Sequence, residues 1–142
     1  MSEANFWRYF HGQMSPFGAF KRVENRCDKG TPDVSYCLSY VGSRGASGWI
    51  ELKYLDAWPK RGGPVVVEHL LLEQVMWLEE WAARDGRAWL IMRVEQHVLA
   101  CTPAIARLIY KRQLTQAQLA QGATGCWAFK PFPVRGLLEV LK

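Results

Sequence analysis

Two segments that read as neighbouring strands carry charges where strand interiors favour apolar side chains, and that conflict limits what the chain can fold into. Val34, Tyr36, Leu38 and Tyr40 alternate before a Gly-rich connection at Gly42, Gly45 and Gly48; Trp49, Ile50, Leu52 and Leu55 follow it. Aromatic and β-branched residues around such a connection give hairpin composition. Strand side chains alternate faces, so Glu51 and Lys53 project from one face, two residues apart. Asp33, after Gly30-Thr31-Pro32, stands at the mouth of the neighbouring strand. A turn centred near Gly42 sets 33 opposite 51, whereas a loop from Gly42 to Gly48 does not. Two carboxylates beside one ammonium point to a hard-metal site acting on phosphodiesters. The plain alternative is that Asp33 ends a turn and that Glu51 and Lys53 form a solvated charge pair of little energetic weight. The short pattern by itself does not separate the two.

Composition narrows the setting. The chain has 142 residues, enough for one domain with its own core. Its 49% hydrophobic and 13% aromatic content excludes a disordered chain. Eighteen Lys and Arg against 13 Asp and Glu give a net charge of +5, a moderate excess that suits a polyanionic partner. Cys27, Cys37, Cys101 and Cys126 show no C-x-x-C spacing, which argues against zinc and for free thiols in a reducing cytoplasm. There is no signal-peptide pattern at Met1-Ser2-Glu3-Ala4-Asn5 and no apolar run of membrane-spanning length, so no membrane partner is expected.

Along the chain, Phe6, Trp7 and Phe10 predict a helix over 5–13. Alternation over 20–26 predicts a strand with Phe20, Arg22, Glu24 and Arg26 on one side. A breaker-rich loop at 56–64 precedes an amphipathic helix over 68–84, marked by Leu71, Val75, Leu78 and Ala82. Strands are expected over 88–94, which reads as central, and 97–101. Thr102 and Pro103 then open a helix that runs to about residue 112. A short helix over 114–120, an edge strand over 126–129 and a last helical segment over 134–141 complete the reading. This order predicts an α/β (α+β) fold: a mixed central sheet, a hairpin carrying the active site, and flanking helices. The predicted organisation is a single domain with a core over about 20–101 and a C-terminal extension over about 102–142. The helix between the Lys53 strand and the Trp89 strand is long enough to cross over to a parallel neighbour.

Hydrolysis of a phosphodiester requires charge neutralised on phosphoryl oxygens, a nucleophile made from water, and a stabilised leaving alkoxide. One or two Mg²⁺ ions supply all three. Mg²⁺ takes oxygen ligands and retains several waters, so Asp33, Glu51 and the Leu52 carbonyl are a sufficient protein contribution. Lys53 is then the point charge that orients water or stabilises the scissile phosphate.

Taken together, Arg22-Val23-Glu24-Asn25, Gly30-Thr31-Pro32-Asp33, Trp49-Ile50-Glu51-Leu52-Lys53 and Glu73-Gln74-Val75-Met76-Trp77 resemble the PD-(D/E)XK nuclease superfamily, in its VRR-NUC and Holliday-junction-resolvase branch, often encoded by phages. The resemblance covers about residues 20 to 95. It implies a restriction-endonuclease-like core, a divalent metal (Mg²⁺, with Mn²⁺ able to substitute) and cleavage of the DNA backbone. It makes Asp33 and Glu51 metal ligands and Lys53 the catalytic lysine, with Glu24 as an upstream acid that completes the metal site and Gln74 as a helical glutamine touching metal water or substrate. Leu70, Leu71 and Leu72 stand where the family has a Ser or Thr helix cap. From about Thr102 onward no motif matches.

Lys21, Arg22, Arg26, Lys29, Arg44, Lys60 and Arg61 occupy segments flanking these motifs and are the expected DNA phosphate contacts. Trp58, beside Lys60 and Arg61, offers either a base-stacking surface or a core side chain. The function expected is a metal-dependent DNA endonuclease selective for branched DNA such as a Holliday junction. It would act as a homodimer, because two symmetric cuts need two active sites, in the cytoplasm, or in the host's cytoplasm if phage-encoded. The alternative is an inactive nucleic-acid-binding or adaptor protein on the same fold.

Overall fold

A computed structural model describes residues 1–142. Helix α1 (Glu3–Met14) is started by Ser2, whose hydroxyl accepts the Asn5 N–H at 3.2 Å. Phe6, Phe10 and Met14, four residues apart, are its buried stripe. A 3-10 turn at Ser15–Phe17 leads to β1 (Gly18–Arg22), β2 (Val34–Leu38) and β3 (Ser47–Leu55). Next come α2 (Leu72–Ala82), β4 (Arg87–Val94), β5 (His97–Cys101), α3 (Pro103–Tyr110), α4 (Gln116–Gly122), β6 (Gly125–Ala128) and α5 (Val134–Leu141).

The six strands form one sheet in chain order. Every neighbouring pair is antiparallel except β3 and β4, which α2 joins as a parallel crossover. The result is the mixed α+β arrangement expected from the order of elements, with β3 and β4 at its centre. Alternation sorts their side chains between two cores. Ile50, Leu52 and Ile91 pack with Phe6, Phe10 and Leu137, so α1 and α5 cover one face. Leu90, Met92 and Val94 pack with Val75, Leu78, Ala106 and Leu119, so α2, α3 and α4 cover the other. None of the helices is long and apolar enough to cross a membrane.

Unequal strand lengths create the feature that matters most. Val34 pairs with Ile50, and beyond that pair β2 ends while β3 runs on to Leu55. β3 therefore has a bare edge on its β2 side, opposite the edge paired to β4. β1 stops early as well. Asn25 accepts the Cys27 N–H at 3.0 Å and donates to the Thr31 hydroxyl at 3.1 Å, a local closure that competes with continued pairing. The β1–β2 connection packs on the first turn of α2 at Gly30, where a Cβ would lie 2.6 Å from the Glu73 carbonyl oxygen. Only glycine permits that approach.

Candidate active site

The bare edge of β3 is closed by side chains. One residue past the Val34–Ile50 pair, Asp33 stands opposite Glu51, and its Oδ2 accepts the Leu52 N–H at 3.1 Å. That amide is one that a longer β2 would engage. A strand residue's N–H and C=O leave on the same side, so the Leu52 carbonyl faces the same opening. Glu51 is fully buried and Lys53 is 4% exposed. Strand alternation turns both toward the α2 side of the sheet, since they pair with Leu90 and Met92.

Two groups hold the Glu51 carboxyl. Its Oε1 lies 3.1 Å from the Lys53 ammonium and accepts from the Gln74 amide at 2.8 Å. The other end of that amide, Oε1 of Gln74, accepts the Leu71 N–H at 2.9 Å. Leu71 occupies the N-cap position of α2 without a polar side chain, so only the reciprocal half of a capping box is made, by Gln74 at the third helical residue. Both amide ends are engaged, which fixes the side chain's orientation. The remaining oxygen, Glu51 Oε2, is buried and has no hydrogen-bond partner. Burial pushes the Glu51 carboxyl up to about 8; the nearby Asp33 carboxylate adds to this, and Lys53 opposes it.

A third acid approaches from a direction that sequence reading missed. Glu3, in the first turn of α1, brings its Oε1 to 3.9 Å from the Lys53 ammonium. Burial raises its pKa, and Lys53, Asp33, His69 and Arg22 are the charges it senses. A Glu one residue after a helix-starting Ser is the only sequence mark of this position, and such a Glu ordinarily serves its own helix dipole. Glu24, expected upstream on a strand, does not take this place. β1 ends at Arg22, and Glu24 lies exposed in the connection with no hydrogen bond or ion pair.

The expected phosphate contacts divide by position. Lys21 and Arg22 are exposed at the end of β1, and Arg26 and Lys29 on the connection that packs against α2. Arg22 also lies over the Trp7 ring, 5.9 Å from its centroid. Lys60 and Arg61 are exposed in the connection after β3. Arg44 lies apart from the others: the hairpin's turn carries it to the other end of the sheet, beside Arg87 and Lys142. At about 3.3 Å per residue along β3, that turn is roughly 17 Å or more from Glu51. Trp58 resolves to the core, being 9% exposed with its indole N–H donated to His97 Nδ1 at 3.3 Å.

The residues present fit a hard divalent cation. Two carboxylates face each other, a strand carbonyl opens on the same notch, and one buried oxygen has no partner. A buried carboxyl left so is costly unless something binds it. No three His, Cys, Asp or Glu side chains gather closely enough to hold a metal ion by themselves, so waters would complete the shell, as Mg²⁺ prefers. Asp33, Glu51 and the Leu52 carbonyl are the ligands available, with Lys53 poised beside them.

No protein-family model and no curated protein matches this sequence. Among solved structures, Archaeoglobus fulgidus Hjc, a Holliday junction resolvase from an archaeal hyperthermophile, is similar with a TM-score of 0.49 and 15% sequence identity. The match covers 84% of this chain and 95% of that one.

Proposed function

We propose that the chain is a metal-dependent DNA endonuclease that hydrolyses phosphodiester bonds at Asp33, Glu51 and Lys53, with branched DNA as its preferred substrate. The observation that carries this reading is the Glu51 carboxyl, buried between Asp33, Lys53 and Gln74 with Oε2 unpartnered. A purely structural ion pair has no reason to keep a lone buried oxygen.

When bound, Mg²⁺ or Mn²⁺ supplies charge for the phosphoryl oxygens and lowers the pKa of water. The chain's own residues do the rest. Asp33 and Glu51, with the Leu52 carbonyl, would hold the cation. Gln74 holds Glu51 in place from the helix start. Lys53, anchored between Glu51 and Glu3, presents an ammonium to the attacking water or the scissile phosphate. The exposed cations Lys21, Arg22, Arg26 and Lys29 hold flanking phosphates, and symmetric cutting of a four-way junction calls for a homodimer.

A second reading, DNA binding without turnover, is favoured by one observation: no third acidic side chain closes to ligand distance on the pair. Labelled single-stranded, duplex, flap and four-way-junction DNA incubated with Mg²⁺, Mn²⁺ or EDTA separates the two. Cleavage that requires the metal and disappears in Asp33→Ala and Lys53→Ala is the expected result. Salt-sensitive binding without cleavage selects the second reading, and cleavage surviving in EDTA removes the metal site.

A further inference from the structure

Arg93 is a buried cation with no counter-charge. It stands next to last on β4, paired in parallel register with Tyr54, the residue after Lys53. It is 8% exposed, yet no carboxylate lies within ion-pair distance of it. Glu95, two residues on, gives Arg93 only its main-chain carbonyl, which accepts from Nε at 3.0 Å. The Glu95 carboxylate is turned away and accepts the Trp58 N–H at 2.9 Å. Phe129 lies beneath the guanidinium, its ring centroid 3.5 Å from Cζ, and Tyr54 flanks it at 5.9 Å. Nη1 donates to the Met1 sulfur. Nη2 makes no hydrogen bond within the protein, and it is not sealed off: the buried partnerless side-chain atoms are Glu51 Oε2 and Trp89 Nε1.

A guanidinium stripped of water and given no carboxylate is costly, and stacking on aromatic rings offsets only part of that cost. It is nonetheless held in place, with Phe129 beneath it and Nε bonded to the Glu95 carbonyl. Phosphate recognition calls for such a fixed planar fork. The start of α1 ties this place to the notch: Met1 touches Arg93 and Glu3 touches Lys53.

We infer that the Arg93 guanidinium seats a backbone phosphate of the bound DNA strand at the end of the sheet where β3 outruns β2, on the face opposite Glu51 and Lys53; this rests on the nuclease reading above. Nη2 supplies the free donor, and the Met1 side chain, 54% exposed, is the cover that yields to the phosphate. The test is affinity for a labelled four-way junction and a labelled single strand, measured in EDTA across a salt series for wild type, Arg93→Gln and Arg93→Lys, with folding followed by thermal melts.

Arg93→Gln is expected to weaken binding about tenfold and to lower the slope of log K against log salt by about one. Arg93→Lys keeps the charge and the slope but loses the fork, and is expected to bind about threefold more weakly. A folded Arg93→Gln protein with wild-type affinity and slope overturns the inference. If Arg93→Gln does not fold, Arg93→Lys decides, and wild-type affinity there overturns it. Wild-type protein that neither binds nor cuts DNA with or without Mg²⁺ sinks the nuclease reading itself, whereas wild-type cleavage with an indifferent Arg93→Gln sinks only the role of Arg93.

Discussion

Two carboxylate–cation pairs in this molecule use similar groups to opposite ends. Glu79 on α2 and Arg107 on α3 meet in a bidentate fork, with bonds of 2.5 and 2.6 Å that satisfy both carboxylate oxygens. Both side chains are one-third exposed, and the Arg107 hydrogen bonds hold the Glu79 carboxyl below the usual carboxylate range. Glu51 and Lys53 are both buried, one oxygen is left over, and the carboxyl is pushed up to about 8. The first pair is saturated and joins two helices. The second is unsaturated, its neighbours Asp33 and Gln74 holding it in a state that a cation would relieve. Saturation, rather than the presence of an ion pair, separates the structural pair from the one proposed to react.

That contrast breaks most visibly in activity. Glu51→Gln and Asp33→Ala are expected to lower metal-dependent DNA cleavage about a thousandfold, while Glu79→Gln stays within about threefold of wild type. Equal losses at both pairs, in a cleavage assay normalised to folded protein, erase the distinction.

Stability without metal is the next largest effect, and the two pairs respond to pH with opposite signs. The Glu51 carboxyl has its folded pKa raised from 4.5 to about 8. Its contribution is therefore fully present below about 4.5, falls as the pH rises, and is gone above about 8, a change on the order of 5 kcal/mol. Glu79 has its folded pKa lowered by its Arg107 hydrogen bonds, so its smaller contribution is present above 4.5 and lost as the pH falls through the folded value. Denaturant melts in EDTA from about pH 4 to about pH 9 read both slopes. Glu51→Gln should flatten the alkaline side and Glu79→Gln the acid side.

Gln74→Ala sharpens the comparison, because it frees Glu51 from the helix without removing it. Cleavage is expected to fall about tenfold to a hundredfold, and stability by about 1 kcal/mol through the lost cap. The smallest effects distinguish the two upstream acids: Glu3→Ala is expected to reduce cleavage about threefold to tenfold and Glu24→Ala to leave it unchanged. The reverse outcome in the same assay restores Glu24 to the site and removes Glu3.

Much of this was legible from local pattern. The stripe of Val75 and Leu78, the Thr102 cap with Pro103, and the near-continuous apolar run of β4 each name their element because periodicity and capping are local physics. The pairing of Asp33 with Glu51 followed once the turn was centred near Gly42, and the Val34–Ile50 register is of that kind. Two readings needed more than neighbours in sequence. Alternation extended β1 through Glu24, but the hydrogen bonds of Asn25 close the chain back on itself before the strand can continue. Glu3 reaches Lys53 only because Phe6, Phe10 and Met14 dock α1 on the sheet, and no local signal reports where a docked helix points its first turn. The leucines at the start of α2 hid their cap for a related reason: the acceptor was Gln74, three residues inside the helix.

The short β2 has a last consequence, for which variants the chain can tolerate. Two more residues of regular pairing in β2 would hand the Leu52 amide a main-chain partner and turn the Asp33 carboxylate away from it. Such a sheet would be better knit, with no exposed edge for stray strands to join. If the site acts as proposed, it would also be inert. On that reading a variant selected for a longer, steadier hairpin trades reactivity for order at this one place, and the missing rung of the ladder is itself a functional part.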